Sequence, residues 1–222
     1  KCFLIMGDSK SLTGIYYDTI KKYFPEYEIY NISNWAKNPY YNHSAFKENL
    51  HKTDLRNSII FYNLTFRHVL NRGSENYEKT ILSTQKVKDL LKMAINRSYN
   101  FDYERGNNGF IYMLGTNWGE KTDGEEYYKE LQNKYTNDYS FQLNYVDSIK
   151  KMVEGNNNLS FIGELPYTSS LDSIYNNTVY YEGYREAYKS RYPESISFGK
   201  FVTDIGWYNR DHLNIVGSQE FT

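Results

Sequence analysis

CFLIM-GDS, residues 2–9, is the stretch that decides the fold of this chain. Five apolar residues in succession are typical of a strand that is buried on both faces of a parallel sheet. After the turn at Gly7-Asp8-Ser9, apolar residues recur at helical spacing across 11–24, and Pro25 ends that pattern. The beginning of the chain therefore predicts a buried strand, a turn and a helix.

The same alternation continues to the end of the chain. Further strands are predicted at 28–32, 58–64, 110–114, 159–163 and 201–205, and further helices at 45–55, 79–95, 125–134, 143–153 and 179–191. Short apolar strands that alternate with amphipathic helices form βαβ units. We therefore expect an α/β fold, a three-layer α/β/α sandwich with a mostly parallel, flavodoxin-like central sheet.

Length and composition indicate one globular domain. The chain has 222 residues, of which 40% are hydrophobic, enough to build a core. No repeat or Pro/Gly/Ser-rich linker divides it, so a single domain is expected over 1–222. Residues 97–108 are polar and rich in Asn and Gly, which predicts a loop or hairpin insertion around 97–124.

Several classes of partner find no support in the sequence. The formal charge is −1, so no basic field attracts nucleic acid. No apolar run reaches the roughly 20 residues that span a bilayer. One cysteine, Cys2, and four scattered histidines predict no metal site, and no glycine-rich phosphate motif predicts a nucleotide cofactor. We expect no cofactor, no metal, no nucleic-acid partner and no membrane span in this chain.

Two polar segments at opposite ends of the chain are candidates for chemistry. Ser9 follows the first strand, and ligands of open parallel sheets bind at the carboxyl ends of strands. On the tripeptide alone, Ser9 is more simply read as the N-cap of the next helix. His212 alone would be a surface histidine, but imidazole is suited to accept a proton from serine near neutrality. The pairing of both segments favours a nucleophile and its base.

The two segments resemble motifs of a known superfamily. Gly7-Asp8-Ser9 resembles the first block of the SGNH (GDSL-like) hydrolases, and His212-Leu213-Asn214-Ile215-Val216-Gly217 resembles their final block, DxxHLNxxG. The two blocks bracket the chain at the expected ends. The resemblance implies an SGNH hydrolase-like sandwich with Ser9 as nucleophile and His212 as base.

A finer resemblance points to one branch of that superfamily. Tyr30-Asn31-Ile32-Ser33 and the strand at 59–64 are similar to segments of cell-surface acyltransferase-like proteins. Proteins of that branch add or remove O-acyl groups on polysaccharides or teichoic acids in bacterial envelopes. The resemblance implies an O-acyltransferase or esterase, with acetyl as the expected group, acting on an acylated glycan or polymer. A membrane acyl-donor protein is then a candidate partner.

The third catalytic member departs from the family pattern. The resemblance places an acid three residues before His212, where this chain has Asn209. Asparagine can hold an imidazole tautomer, but it cannot offset the imidazolium charge. Asp204 could substitute for the acid, whereas Asp211 adjoins His212 and is poorly placed to reach its ring. A Ser–His dyad, a triad with a relocated acid and a weakened or inactive enzyme all stay open.

The resemblance also implies three donors for an oxyanion hole. These are the N–H of Ser9, the backbone N–H near Ala36 and the side chain of Asn117, which follows Gly115-Thr116. Asn117 qualifies only if the strand at 110–114 lies beside the first strand. The alternative is that residues 115–119 form a plain turn.

Location and the competing functions stay open at this point. The resemblance implies an extracytoplasmic or cell-surface place in a bacterium, and a cytoplasmic one is also compatible with the sequence. The chain opens on Lys1 and enters a strand at once, so it looks trimmed, and a lost signal or anchor stays open. The alternative functions are a non-catalytic SGNH-like binding or scaffold domain and an unrelated flavodoxin-like binding domain. The second of these leaves the HLNxxG segment unexplained.

Overall fold

The computed structural model describes residues 1–33, 38–50, 55–66, 69, 103–114, 139–155, 158–178, 180–197, 202, 204–209 and 212–222. The predicted helices at 79–95 and 125–134 lie outside the described residues. Residues 97–102 and 115–124 of the predicted insertion also lie outside them.

A parallel sheet forms the centre of the described structure. The strands are β1 (Cys2–Met6), β2 (Glu28–Asn31), β3 (Ile59–Asn63), β4 (Tyr103–Arg105), β5 (Ile111–Met113), β6 (Leu159–Glu164) and β7 (Ile196–Ser197). Five of them pair in the order β2-β1-β3-β6-β7, and every pair is parallel. The predicted α/β fold with a mostly parallel, flavodoxin-like sheet is confirmed.

Helices cover both faces of this sheet. They are α1 (Ser9–Thr13), α2 (Tyr17–Tyr23), α3 (Pro39–Leu50), α4 (Tyr139–Glu154), α5 (Ser169–Asn176), α6 (Tyr181–Arg191) and α7 (Ile215–Phe221). Alternate residues of a strand point to opposite faces. Leu4 and Met6 of β1 accordingly pack in a cluster with α3, α4, α5 and α6. Ile5 packs on the other face with α2, the β4–β5 pair and α7.

Three predicted elements differ from the observed ones in their type, their number or their bounds. The predicted helix at 11–24 is two helices, because α1 ends at Gly14, whose N–H donates to the carbonyl of Lys10. The predicted strand at 201–205 is wrong for its described end, since Asp204–Gly206 is a 3-10 turn, and the last strand among the described residues is β7. The helix predicted at 45–55 begins earlier, at Pro39, a residue suited to a first helical turn.

The strand at 110–114 is present but does not join the central sheet. β5 pairs antiparallel with β4, while the neighbours of β1 are β2 and β3. The β4–β5 pair packs against β2, where the side-chain amide of Asn108 donates to the carbonyl of Ile29. The strand at 110–114 therefore does not lie beside the first strand, which was the condition for Asn117 to serve as an oxyanion donor.

Among the described residues, no helix combines the length and apolarity that a membrane crossing requires.

Helix α5 was missed by the sequence analysis. Its N-cap, Thr168, accepts a hydrogen bond from the N–H of Leu171, and this cap is its clearest sequence signal.

Candidate active site

The turn that carries Ser9 lies at the point where the strand order reverses. β1 has β2 on one side and β3 on the other, and ligands of doubly wound sheets bind at such a switch point. Gly7 makes the turn possible because its φ is 150°, a conformation that residues with a Cβ rarely adopt. A Cβ at Gly7 would also lie 2.9 Å from the carbonyl oxygen of Asn63. Ser9 is thus set as the first residue of α1.

The carboxylate of Asp8 holds this turn in place. Asp8 is buried and caps α1, with Oδ1 accepting from the backbone N–H of Lys10 at 2.9 Å. Oδ1 also accepts from the amide of Asn63 at 3.0 Å, and Oδ2 accepts from the hydroxyl of Thr65 at 2.9 Å. Donors of this kind stabilise an ionised carboxylate away from water. Asp8 therefore fixes Ser9 to the end of β3.

Two asparagines that the sequence analysis did not name as site residues also help to hold the turn and helix that carry Ser9. Asn42 on α3 donates from its amide to the carbonyl of Gly7 at 3.3 Å. Asn31 at the end of β2 donates to the carbonyl of Ser11 at 2.8 Å, and its Oδ1 accepts from the N–H of Ser33. The Asn31 contact gives the Tyr30–Ser33 motif a physical role, because it ties β2 to α1, the helix that begins at Ser9. The Asn42 contact had no signal in the sequence.

His212 is carried by a turn between the 3-10 segment and α7. Trp207 and Leu213 form an antiparallel bridge across this turn, and the N–H of Tyr208 donates to the carbonyl of His212 at 3.0 Å. Asn214 caps α7 by accepting from the N–H of Gly217, and its amide donates to the carbonyl of Ile205 at 2.7 Å. The Leu-Asn-x-x-Gly residues after His212 are therefore structural.

Gly217 is required because two backbone segments touch at its Cα. A Cβ there would collide with the carbonyl group of Gly206, on the far side of the histidine turn. We expect Gly217→Ala to lower the free energy of unfolding by about 2–4 kcal/mol, since backbone atoms cannot move aside cheaply. Urea unfolding measures this change. Gly155→Ala is the matched control because a Cβ there meets only ordinary contacts, and an equal effect of both variants would contradict the account.

The structure brings Ser9, His212 and Asn209 into one line of hydrogen bonds. Nε2 of His212 lies 2.8 Å from Oγ of Ser9, although 203 residues separate the two in sequence. Nδ1 of His212 lies 2.9 Å from Oδ1 of Asn209. That same Oδ1 accepts from the backbone N–H of His212 at 2.9 Å.

This geometry assigns the proton on the imidazole ring. A backbone N–H is always a donor, so the atom of Asn209 that faces it must be the oxygen. Nδ1 of His212 faces that oxygen too and must therefore carry the hydrogen. Nε2 of the neutral ring is then left without a proton and can accept one from the Ser9 hydroxyl. Asn209 thus holds His212 in the tautomer that a general base needs.

The other predicted site residues are not brought to this line by the described structure. Ala36, Asn117 and Asp211 lie outside the described residues. The backbone of Asp204 lies in the 3-10 turn Asp204–Gly206, and its side chain is outside the described part. In the described structure, Asn209 is the residue that lies on the Nδ1 side of the His212 ring.

A second buried polar group lies at the end of β6, next to Leu165, whose N–H donates to Asn63. Glu164, the last residue of β6, is 6% exposed, and its Oε1 has no hydrogen-bond partner among the described residues. Burial raises the pKa of this carboxyl group to about 7, while the charges of Lys10 and Arg185 act in the opposite direction. Glu164 therefore changes charge near neutrality.

The pKa of Glu164 predicts how stability changes with pH. Because the folded-state pKa is raised, the folded protein keeps a proton that the unfolded chain releases, so Glu164 destabilises the fold as pH rises through this interval. Glutamine does not ionise. Relative to wild type, Glu164→Gln should gain about 2 kcal/mol in unfolding free energy between about pH 5 and pH 8. Urea unfolding at both pH values tests this, and parallel pH profiles would contradict it.

In the part of the chain that the structure describes, no group of three or more His, Cys, Asp or Glu side chains is placed to hold a metal ion.

Fold and site together define an α/β protein in which a serine at the switch point is hydrogen bonded to a histidine held by an asparagine. The chain is similar in structure to a "putative acylhydrolase" from Bacteroides fragilis, with 11% sequence identity and a TM-score of 0.46, over 99% of this chain and 82% of that chain. No protein-family model matches the chain, and no curated protein matches its sequence.

Proposed function

We propose that this chain is an enzyme of acyl ester chemistry with Ser9 as its nucleophile, an SGNH-type esterase or O-acyltransferase. One observation carries the proposal: Oγ of Ser9 lies 2.8 Å from Nε2 of His212, whose Nδ1 is held by Asn209. A nucleophile, a base within hydrogen-bond reach and a third group that orients the base are the parts that such catalysis needs.

The reaction proceeds in two halves. Oγ of Ser9 attacks the ester carbonyl carbon as Nε2 of His212 takes the hydroxyl proton, and a tetrahedral oxyanion forms. His212 then returns the proton to the leaving alcohol oxygen as the ester bond breaks, which leaves the acyl group on Ser9. A water molecule or an acceptor hydroxyl attacks this acyl-enzyme while His212 again takes its proton. His212 then gives this proton to Oγ of Ser9 as the acyl–Oγ bond breaks, and release of the acid or new ester restores Ser9.

The oxyanion is stabilised in part by the N–H of Ser9. This group lies in the first turn of α1, where N–H groups are not used by the helical hydrogen-bond pattern. The backbone N–H of Ala36 is the further donor in the proposal, on the SGNH resemblance alone. A donor aimed at the oxyanion contributes about 3–4 kcal/mol to such reactions.

The substrate class and location belong to the proposal as well. The similarity of residues 30–33 to envelope acyltransferase-like proteins supports an O-acetylated cell-surface glycan or related polymer, with a membrane acyl-donor protein as a partner. The same similarity supports a location of the protein outside the cytoplasm.

A second function is favoured by one feature of the same site. Asn209 carries no charge to balance an imidazolium, and this suits a site that binds a ligand without catalysing a reaction. The second candidate is therefore a non-catalytic SGNH-like binding or scaffold domain of an envelope polysaccharide assembly.

Acyl transfer to Ser9 separates these functions. Wild-type protein is mixed with p-nitrophenyl acetate, quenched early, and read by intact mass and peptide mapping. We expect one acetyl group on Ser9 and a burst of p-nitrophenol. With a sugar or polyol acceptor present, acetylated acceptor indicates a transferase and free acetate indicates an esterase. A folded protein that forms no acetyl-enzyme, shows no turnover and binds an envelope polysaccharide would favour the scaffold.

A further inference from the structure

The β4–β5 pair contacts both of the chain ends that carry the site. β5 contacts α1, which begins at Ser9, and it also contacts α7, which follows the turn of His212. Its last residue, Met113, forms a parallel bridge with Asn214, two residues after His212. Ser9 and His212 are 203 residues apart in the chain, yet their side chains meet at 2.8 Å. An element that touches both ends is therefore placed to set the distance between them.

Tyr112, the central residue of β5, makes the contact with the side of Ser9. It is buried, and its hydroxyl accepts from the N–H of Tyr17, the first residue of α2, at 3.2 Å. Its ring packs on the ring of Tyr16, with 5.2 Å between the ring centroids. The N–H of Tyr16 in turn donates to the hydroxyl of Thr222, the residue after α7, at 2.9 Å. Tyr112 thus lies where the beginning of α2 meets the end of α7.

One core cluster joins these contacts. Phe110 and Tyr112 are buried in it, and Ile215 and Phe221 of α7 pack against it. The ring of Tyr17 meets that of Phe110 edge-on, with the ring centroids 5.4 Å apart. Because protein interiors are closely packed, a change of volume at one core side chain displaces its neighbours. A smaller side chain in place of Tyr112 is therefore felt by α2 and by α7 together.

We propose that Tyr112 is a positioning residue that sets the distance between Ser9 and His212, an inference that rests on the proposed function. It acts on the side of Ser9 through α2, and on the side of His212 through the bridge between its neighbour Met113 and Asn214. Asn214 is the N-cap of α7 and lies in the turn that carries His212. Misplacing a catalytic group by about 1 Å can lower a rate by about 100-fold.

The first test compares the rates at which a fluorophosphonate labels Ser9 in Tyr112→Leu and Tyr112→Phe. Leucine keeps an apolar side chain but loses the ring and the hydroxyl, so we expect labelling about 100-fold slower than in wild type. Phenylalanine keeps the ring and loses only the acceptor of the Tyr17 N–H, so its rate should fall by only about 3-fold.

The matched controls are the same two substitutions at Tyr192. This tyrosine is also buried, it belongs to the cluster on the other face of the sheet, and its hydroxyl donates to Asp147 at 2.7 Å. Its variants should unfold at lower urea concentration than wild type, because they too lose buried contacts. Their folded molecules should label Ser9 at the wild-type rate.

A second measurement does not depend on turnover. The nitrogen-15 NMR signal of Nε2 of His212 is recorded at about pH 8, where an ordinary imidazole is neutral, because its position reports the hydrogen bond with Ser9. We expect the signal in Tyr112→Leu to move from its wild-type position towards that in Ser9→Ala, which lacks this hydrogen bond. Tyr192→Leu should keep the wild-type signal, because a loss of stability alone leaves the site of the folded molecules unchanged.

The outcomes separate the positioning role from the proposed function. A folded Tyr112→Leu that labels within a few-fold of wild type and keeps the wild-type Nε2 signal overturns the positioning role, as does equal slowing by both leucine variants. If Tyr112→Leu does not fold, the phenylalanine variants decide: equal rates for Tyr112→Phe and Tyr192→Phe overturn the role. If wild-type Ser9 is unlabelled, the proposed function is overturned, while the Nε2 signals still decide whether Tyr112 sets the contact between Ser9 and His212.

Discussion

Replacing Ser9 with alanine should reduce turnover of p-nitrophenyl acetate by about 10⁴-fold or more. The hydroxyl of Ser9 is the group that Nε2 of His212 reaches at 2.8 Å, and no acyl-enzyme can form without it. His212→Ala should have an effect of similar size, because serine and base act as one unit and their losses do not add. Release of p-nitrophenol by purified, folded variants measures both effects.

Ser148→Ala is the control for this substitution. Ser148 lies on α4 and donates only a local hydrogen bond to the carbonyl of Asn144, four residues earlier. Its loss should leave turnover unchanged. Residual turnover by Ser9→Ala within a few-fold of wild type would show that the ester is cleaved elsewhere on the molecule.

Substitutions of Asn209 should move the rate in opposite directions. Asn209→Ala removes the oxygen that holds the Nδ1 hydrogen, so His212 loses its fixed tautomer and we expect a rate about 100-fold lower. Asn209→Asp keeps both hydrogen bonds from His212 and adds a negative charge beside the imidazolium that forms in the transition state. We expect kcat/KM about 10-fold higher at neutral pH.

The pH profile makes this second prediction specific. A carboxylate at position 209 also favours the protonated ring in the free enzyme, so the rise in rate with pH should occur at higher pH in Asn209→Asp than in wild type. The measurement is kcat/KM for p-nitrophenyl acetate across pH, with urea unfolding as the check on stability. A lower rate for Asn209→Asp at every pH would contradict the view that Asn209 is a weakened third member.

The sequence predicted four of the five strands of the central sheet, β1, β2, β3 and β6, because their signals are local, whereas β7 was missed. CFLIM and the later apolar runs are too short and too apolar for exposed helices, and their alternation with amphipathic segments leaves few topologies. The same reasoning placed residues 110–114 in a strand but could not assign its partner. β5 pairs with Tyr103–Arg105, which lies in the segment around 97–124 that the composition assigned to a loop or hairpin insertion.

The residues of the candidate site could be predicted from the sequence only where a motif fixed their spacing. Ser9, His212 and Asn209 come from the two end motifs, and the three-residue turn lets Asn209 bond both the ring and the backbone of His212. The residues that hold the turn of Asp8 and Ser9 in place could not be predicted from the sequence, because Asn63 and Thr65 are more than 50 residues away from Asp8 in the chain. Lys10 and Glu164 are residue types that sequence rules place at the surface, so tertiary packing decided their burial.

Fluorophosphonate labelling of the wild-type protein, read by intact mass and peptide mapping, tests the central claim most directly. The account predicts one label per chain, attached to Ser9, and no label in His212→Ala. A folded wild-type protein that stays unlabelled, or that carries the label on another residue, would contradict the assignment of Ser9 and His212 as nucleophile and base and would favour the binding-domain alternative.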